Sequence, residues 1–220
     1  MAPRSLSYKV SATPFVIFAQ LITIAVITLV LVWLLHFRKG FSFKSDEISK
    51  LFNLHPFLMV IGLIVIGGQA IMAYKSIPAK RKTRKGVHLV LHLMAFLSGI
   101  LGIYVIFKYK NEAGAQNLQT LHSWLGITTV LLYGLQFVLG FFAYCFPGAE
   151  WTARATLLPW HIFVGMVIFF FAIVTAEIGL SGLSQTVISF SERYMVNFTG
   201  LLILLYSISV ALVVILPGSY

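Results

Sequence analysis

Six long apolar segments, separated by short polar connections, account for most of the 220-residue chain. A helix needs about 20 apolar residues to cross the roughly 30 Å hydrocarbon core of a bilayer, and each segment is long enough. No segment shows the strict alternation of apolar and polar residues that is typical of strands in a membrane β-barrel. The pattern predicts an all-α integral membrane protein with six transmembrane helices, over residues of about 14–36, 51–74, 86–107, 118–143, 158–180 and 196–216.

The composition agrees with this prediction. Charged residues make up 10% of the chain and hydrophobic residues 59%, whereas soluble domains carry about 25% charged residues. The connections are too short for a separate soluble domain, so we expect one transmembrane domain over residues 1–220. The net charge of +10 is spread over short stretches between the apolar segments. This placement suits lipid headgroups or an anionic small molecule and does not suit nucleic acid, which would need a polar domain.

The densest group of positive charges indicates the orientation. The connection YKSIPAKRKTRKG, residues 74–86, contains six lysines and arginines. Such residues are enriched in the cytoplasmic loops of membrane proteins. Since six crossings place both termini on one side, we expect a multi-pass protein with both termini in the cytoplasm.

Four histidines lie at matched depths in the predicted helices. Ionisable side chains inside a membrane are costly and usually have a function there. His55 and His122 lie near the starts of the second and fourth segments, which run in the same direction, so both are expected near the non-cytoplasmic face. His88 and His161 lie near the starts of the third and fifth segments, and both are expected near the cytoplasmic face. At 1.5 Å per residue, the two pairs would lie about 20 Å apart along the membrane normal.

The histidine pairs also indicate a repeat of two hairpins, 51–107 and 118–180, because the separation from His55 to His122 is close to that from His88 to His161. Two facing imidazoles suit the iron of a haem, whose macrocycle fills the space between helices. Two alternatives stay open on these residues alone. An intramembrane histidine is often only a hydrogen-bonded core residue, and a metal or solute transporter could line its pathway with histidines, although a metal transporter usually adds carboxylates.

His92 lies one helical turn deeper than His88 on the same helix face. Depth favours His88 as the partner of His161. His92 could instead be the ligand, or could hydrogen-bond a haem edge or a neighbouring helix.

Four ordered stretches resemble the signatures of the cytochrome b561 family. They are KGVHLVLHLMAF (85–96), TLHSWLG (120–126), GFFAYCFPG (140–148) and RATLLPWHIFVG (154–165). The resemblance is collinear over the second to fifth segments. The chain also has the size and the six-segment plan of the family, without a fused soluble domain, and the nearest resemblance is to plant members.

The resemblance implies a homodimer in which the second to fifth helices form a four-helix bundle around two b-type haems. By motif position, His88 and His161 would hold the cytoplasmic haem, and His55 and His122 the non-cytoplasmic haem. The implied activity is a transmembrane oxidoreductase, with no catalytic side chain beyond the haems. It would pass electrons from cytoplasmic ascorbate to monodehydroascorbate or, as in some members, to a ferric chelate. The expected location is an endomembrane, such as the vacuole or a vesicle membrane, or the plasma membrane.

Basic residues near the cytoplasmic histidines are candidates for binding ascorbate. Ascorbate is a monoanion at neutral pH, and a basic rim raises its local concentration and orients it through charge-assisted hydrogen bonds. The candidates are Lys80, Arg81, Lys85 and Arg154. Lys75 or Tyr74 would serve as partners for the haem propionates. The alternative is that the cluster only sets the topology and contacts anionic lipid.

A weaker prediction concerns the non-cytoplasmic side. Polar residues close in sequence to His122 could line the acceptor site there, although loops at a membrane surface are usually polar in any case. The candidates are Lys108, Lys110, Asn117 and Gln119.

Overall fold

The computed structural model describes residues 10–44 and 47–218; both chain termini lie outside these ranges. Six helices within the described residues are long and apolar enough to cross a membrane. They are α1 (Thr13–Phe37), α2 (Ile48–Ser76), α3 (Arg81–Glu112), α4 (Leu121–Tyr144), α5 (Trp151–Thr186) and α6 (Phe190–Ile215). The same residues contain no strand, so the predicted all-α architecture with six membrane-spanning helices is confirmed.

Several helices begin or end outside the apolar segments. α3 begins at Arg81, so that the basic cluster forms its first turn, and α5 begins at Trp151 and continues through Pro159. α4 begins later than the apolar pattern suggests, because Thr120 caps it by accepting the Ser123 N–H. Backbone hydrogen bonding continues a helix in water as well as in lipid, so hydropathy marks the membrane crossing and not the whole helix.

The helices α2 to α5 form a four-helix bundle. Around the bundle, α2 packs against α3, α3 against α4, α4 against α5, and α5 against α2. α1 and α6 pack against each other on the outside, and α6 also contacts α2 and α5. The predicted arrangement of the helices is therefore observed. One end of the bundle carries the α2–α3 connection (77–80) and is called the 77–80 face below; the other carries the α3–α4 connection (113–120) and is called the 113–120 face.

Hydrogen bonds inside the apolar region fix α1 and α6 to α2. The side-chain amides of Gln20 on α1 and Gln69 on α2 donate to each other at 2.9 and 3.1 Å. The fully buried Tyr206 on α6 donates its hydroxyl to the Val65 carbonyl oxygen at 2.9 Å. Each of these polar groups has a partner, which removes most of the cost of placing it in lipid.

The central part of α2, Leu58–Ile66, is a π-helix. In this form the backbone hydrogen bonds run from residue i to residue i+5, so each turn holds more residues than an α-helical turn. Contacts with α3 on either side of the segment show its effect. His55 lies against the Gly102 carbonyl and His88 against the Ala70 carbonyl, so α2 runs from position 55 to position 70 where α3 runs only from 88 to 102. The π-helix accommodates the extra residue of α2.

Candidate functional site

The four histidines predicted as ligands lie in two pairs inside the bundle. The ring centres of His55 on α2 and His122 on α4 are 6.0 Å apart, and those of His88 on α3 and His161 on α5 are 6.3 Å apart. The two helices of each pair are diagonal neighbours in the bundle, so the rings face each other across its interior. His88 and His161 lie toward the 77–80 face, and His55 and His122 toward the 113–120 face.

The ring separations fit two imidazoles that bind one iron from opposite sides. An imidazole nitrogen lies about 2.0 Å from a bound transition metal and about 1.1 Å from its own ring centre, so two opposed ligands have ring centres about 6.2 Å apart. The two observed values lie on either side of this distance.

Three of the four rings are oriented by backbone carbonyl groups of an adjacent helix. The Nδ1 atoms of His55, His88 and His122 lie 3.0, 2.8 and 2.9 Å from the carbonyl oxygens of Gly102, Ala70 and Thr175. A carbonyl oxygen can only accept, so Nδ1 carries the hydrogen and donates it. Nε2 is then the nitrogen with a free lone pair, which is the form of histidine that binds a metal.

His161 has a side-chain partner instead. Its Nδ1 lies 3.0 Å from the amide nitrogen of Gln136 on α4, and the same nitrogen donates to the His161 carbonyl oxygen at 2.7 Å. Sequence reasoning missed Gln136, although a signal was present. It is the one amide side chain in the apolar stretch LLYGLQFVLG (131–140), and a polar side chain within a membrane helix usually has a specific partner.

Two glycines let α4 and α5 approach each other at the histidines. A Cβ atom on Gly179 of α5 would lie 2.7 Å from Cε1 of His122, and one on Gly140 of α4 would lie 3.0 Å from Cε1 of His161. The arrangement is reciprocal. α4 carries His122 and, further along, Gly140, which contacts His161; α5 carries His161 and, at the same interval, Gly179, which contacts His122. The close packing places both rings in the bundle interior.

A cavity of about 420 Å³ lies at the His55–His122 pair. This volume is in the range of small-molecule and cofactor sites, about 300–1,000 Å³. Apolar side chains form most of its wall, and Lys110 and Asn117 also line it. Lys108, another of the four predicted acceptor-side residues, lies outside the lining, with Nζ 3.8 Å from the Glu112 carboxylate. Gln119 lies outside it as well, and its side chain donates to the Asn117 carbonyl oxygen at 3.1 Å.

Aromatic and basic residues surround the other pair at the 77–80 face. The rings of Tyr74 and Tyr144 lie 5.4 Å from His88 and 5.2 Å from His161, respectively. Lys85 donates to the backbone carbonyl oxygen of the same Tyr144 at 3.0 Å. The Tyr144 hydroxyl lies 3.5 Å from the carbonyl oxygen of Arg154, whose Nε is buried without a hydrogen-bond partner among the residues that the structure describes.

The remaining candidates on this face are placed differently. Lys80 immediately precedes α3, and Lys80 and Arg81 are both exposed at the surface. Lys75, expected as a partner for haem propionate, donates instead to the carbonyl oxygens of Val214 and Leu216 at 2.7 and 2.5 Å. Its charge therefore caps the C-terminal end of α6, where helix carbonyls lack intrahelical partners.

His92 is bound to a neighbouring helix, which is one of the roles left open by the sequence. Its Nδ1 lies 2.5 Å from the Tyr133 hydroxyl on α4. The ring that faces His161 at the spacing of two metal ligands is that of His88.

Comparison with known proteins adds the following. Residues 54–188 match the family model described as eukaryotic cytochrome b561. The probable ascorbate-specific transmembrane electron transporter 1 of Oryza sativa subsp. japonica is 43% identical, over 95% of this chain and 92% of its own length. Transmembrane ascorbate ferrireductase 2 of Arabidopsis thaliana is 37% identical, over 94% and 93%. A transmembrane ascorbate-dependent reductase of Mus musculus is 35% identical, over 96% and 86%.

Proposed function

This chain belongs to the eukaryotic cytochrome b561 family, and we propose that it carries electrons across a membrane from cytoplasmic ascorbate to an acceptor on the other side. The names of the relatives, an electron transporter specific for ascorbate and two ascorbate-dependent reductases, support ascorbate as the donor. The observation that carries the proposal is the presence of two histidine pairs, at 6.0 and 6.3 Å, one toward each face of a membrane-spanning bundle.

In this proposal each histidine pair holds one haem b, so that the chain binds two. Each haem would supply a one-electron carrier at its site. The backbone carbonyls of Gly102, Ala70 and Thr175 keep Nε2 of three ligands free for iron. The mostly apolar cavity wall at the His55–His122 pair suits a bound cofactor.

The 77–80 face would be the cytoplasmic, electron-donating face. Loss of one electron converts the ascorbate anion to monodehydroascorbate and releases one proton. The exposed Lys80 and Arg81 would attract the anion by their charge, and Lys85 would bind it close to the histidine pair. The buried, unpartnered Nε of Arg154 offers a further donor to an anionic group at this position.

The 113–120 face would receive the acceptor. Monodehydroascorbate takes up one electron and one proton to regenerate ascorbate, which reverses the reaction on the donor side. Lys110 and Asn117 line the cavity at His55 and His122 and could bind the oxygen atoms of this anion. A ferric chelate is the second candidate acceptor, because the Arabidopsis relative is named a ferrireductase.

The remaining proposals concern assembly and location. We propose that two copies associate in the bilayer, and that both termini lie in the cytoplasm. The membrane would be that of a vacuole or vesicle, or the plasma membrane. The concentration of basic residues at the start of α3 supports the orientation.

An absorption spectrum tests the proposal directly. Purified protein should show the reduced-minus-oxidised bands of low-spin haem b, with two haems per chain. Protein expressed with sufficient haem but lacking these bands would refute the proposal. Vesicles loaded with ascorbate and containing the protein would then distinguish the acceptors, through the rates at which external monodehydroascorbate and an external ferric chelate are reduced.

A further inference from the structure

The partners of the four ligand histidines occupy equivalent positions in the two hairpins. α3 and α5 run toward the 113–120 face. On α3, Gly102 follows His88, and on α5, Thr175 follows His161 at the same interval. On the helices that run the other way, Gln136 follows His122 at this interval as well, and Ala70 follows His55 one position later, across the π-helical segment. Three of these positions present a backbone carbonyl to an imidazole, and the fourth presents a side chain.

Gln136 presents a hydrogen-bond donor to its imidazole, whereas the other three positions present an acceptor. The amide nitrogen of Gln136 can only donate, and its donation to the His161 carbonyl oxygen at 2.7 Å fixes which end of the amide lies there. Turning the amide over would place its oxygen against the carbonyl oxygen, and two acceptors repel each other. His161 Nδ1 therefore has a donor as its neighbour, at 3.0 Å, whereas the other three have an acceptor.

We infer that Gln136 is a positioning residue that sets the hydrogen-bonding state of the His161 imidazole and, through it, the redox potential of the haem that His161 holds. This inference rests on the proposed haem-binding function. An acceptor at Nδ1–H makes an imidazole a stronger electron donor to its metal and so favours ferric over ferrous iron. Binding of iron through Nε2 requires the hydrogen of His161 to be on Nδ1, where it would face the Gln136 N–H and have no acceptor, so this ligand would be the weakest electron donor of the four. Substitution does not remove the backbone carbonyls that contact the other three histidines. Among the four positions, only at Gln136 can a substitution change the hydrogen-bonding partner of the histidine.

The test replaces Gln136 by Glu and by Leu and measures both haem potentials. Glutamate has the same length and supplies an acceptor, so Gln136→Glu should shift the potential of the haem bound by His88 and His161 to a more negative value. The other haem should keep its potential. Leucine removes the contacts with His161, so Gln136→Leu should broaden the low-spin ferric EPR signal of the same haem. Gln20→Leu is the matched control, since it also removes an intramembrane amide pair but one with no contact to a histidine, and it should leave both potentials and both signals unchanged.

Failure of the inference and failure of the proposed function give different results. Wild-type protein without haem b would refute the proposed function. Wild-type protein with two haems, together with unchanged potentials and EPR signals in both Gln136 variants, would overturn the role of Gln136 alone. Should Gln136→Leu lose the haem, Gln136→Glu decides the question, because it keeps a hydrogen-bonding side chain of the same length.

Discussion

Replacing Gly179 by alanine should disable one histidine pair and leave the other intact. The new Cβ atom would lie 2.7 Å from Cε1 and 2.9 Å from Nδ1 of His122. Carbon atoms in ordinary contact are about 3.5–4.0 Å apart, so the ring would have to move by most of an ångström. Because Nδ1 is held at 2.9 Å by the Thr175 carbonyl, this movement also breaks the hydrogen bond that orients the ring.

The magnitude follows from these two losses. Overpacking a filled site costs about 1–3 kcal/mol, and a lost intramolecular hydrogen bond costs about 0.5–1.5 kcal/mol. The sum of about 1.5–4.5 kcal/mol would weaken haem binding between His55 and His122 by about 10-fold to 1,600-fold, at a factor of ten for each 1.4 kcal/mol. Purified Gly179→Ala protein should therefore contain close to one haem per chain under conditions in which the wild type contains two.

The assay is the ratio of haem to protein, with EPR to identify the haem that remains. Gly86→Ala is a suitable control, because a Cβ atom there would meet no heavy atom within 4 Å, and it should retain both haems. Gly140→Ala should have a smaller effect at the other site, since its Cβ atom would lie 3.0 Å from the His161 ring. Two haems with unaltered EPR signals in Gly179→Ala would show that the close packing of His122 is not needed for ligation.

Three further predictions separate the roles of residues around the His88–His161 pair. His88→Ala should lose one haem and His92→Ala should keep both; the opposite result, measured by haem content, would exchange the two assignments. Lys85→Glu should slow the reduction of the protein by ascorbate with both haems still bound, and the wild-type rate should fall as salt screens the charge. Equal rates in Lys85→Glu and wild type would assign the cluster to topology, and Lys82→Glu, at an exposed position on α3, is the control. Tyr133→Phe removes the 2.5 Å hydrogen bond to His92 and should lower the free energy of unfolding by about 1 kcal/mol. The measurement is the thermal midpoint, which should fall while both haems are retained. An unchanged midpoint would argue against a stabilising hydrogen bond.

The pairing of the histidines could be predicted from the sequence because it depends on depth alone. Helix direction alternates along the chain, so position within a segment gives distance from a membrane face. His55 with His122 and His88 with His161 are the pairs that the structure brings to 6.0 and 6.3 Å. Depth also favours His88 over His92 as the partner of His161, but rotation about the helix axis decides which ring faces α5, and depth does not give that rotation.

The partners of these rings could not be predicted, for physical reasons. A backbone carbonyl such as that of Ala70 or Thr175 belongs to every residue type, so no sequence pattern marks it. The partner of Lys75 is equally unmarked, because its side chain is long enough to reach the end of α6, a helix far away in sequence. The start of α4 was placed a few residues early, because the apolar pattern does not reveal that Leu118 adopts a φ of 56°, outside the helical region.

The π-helical segment of α2 lets both ends of this helix keep their positions against α3 despite one extra residue. Removing one residue from Leu58–Ile66 should let the segment rewind as an α-helix, with His55 still at Gly102 and the Ala70 carbonyl still at His88. α4 covers the equivalent distance with one residue fewer and no such segment. The first hairpin therefore resembles the second with one inserted residue, which the nine residues of the π-helix accommodate.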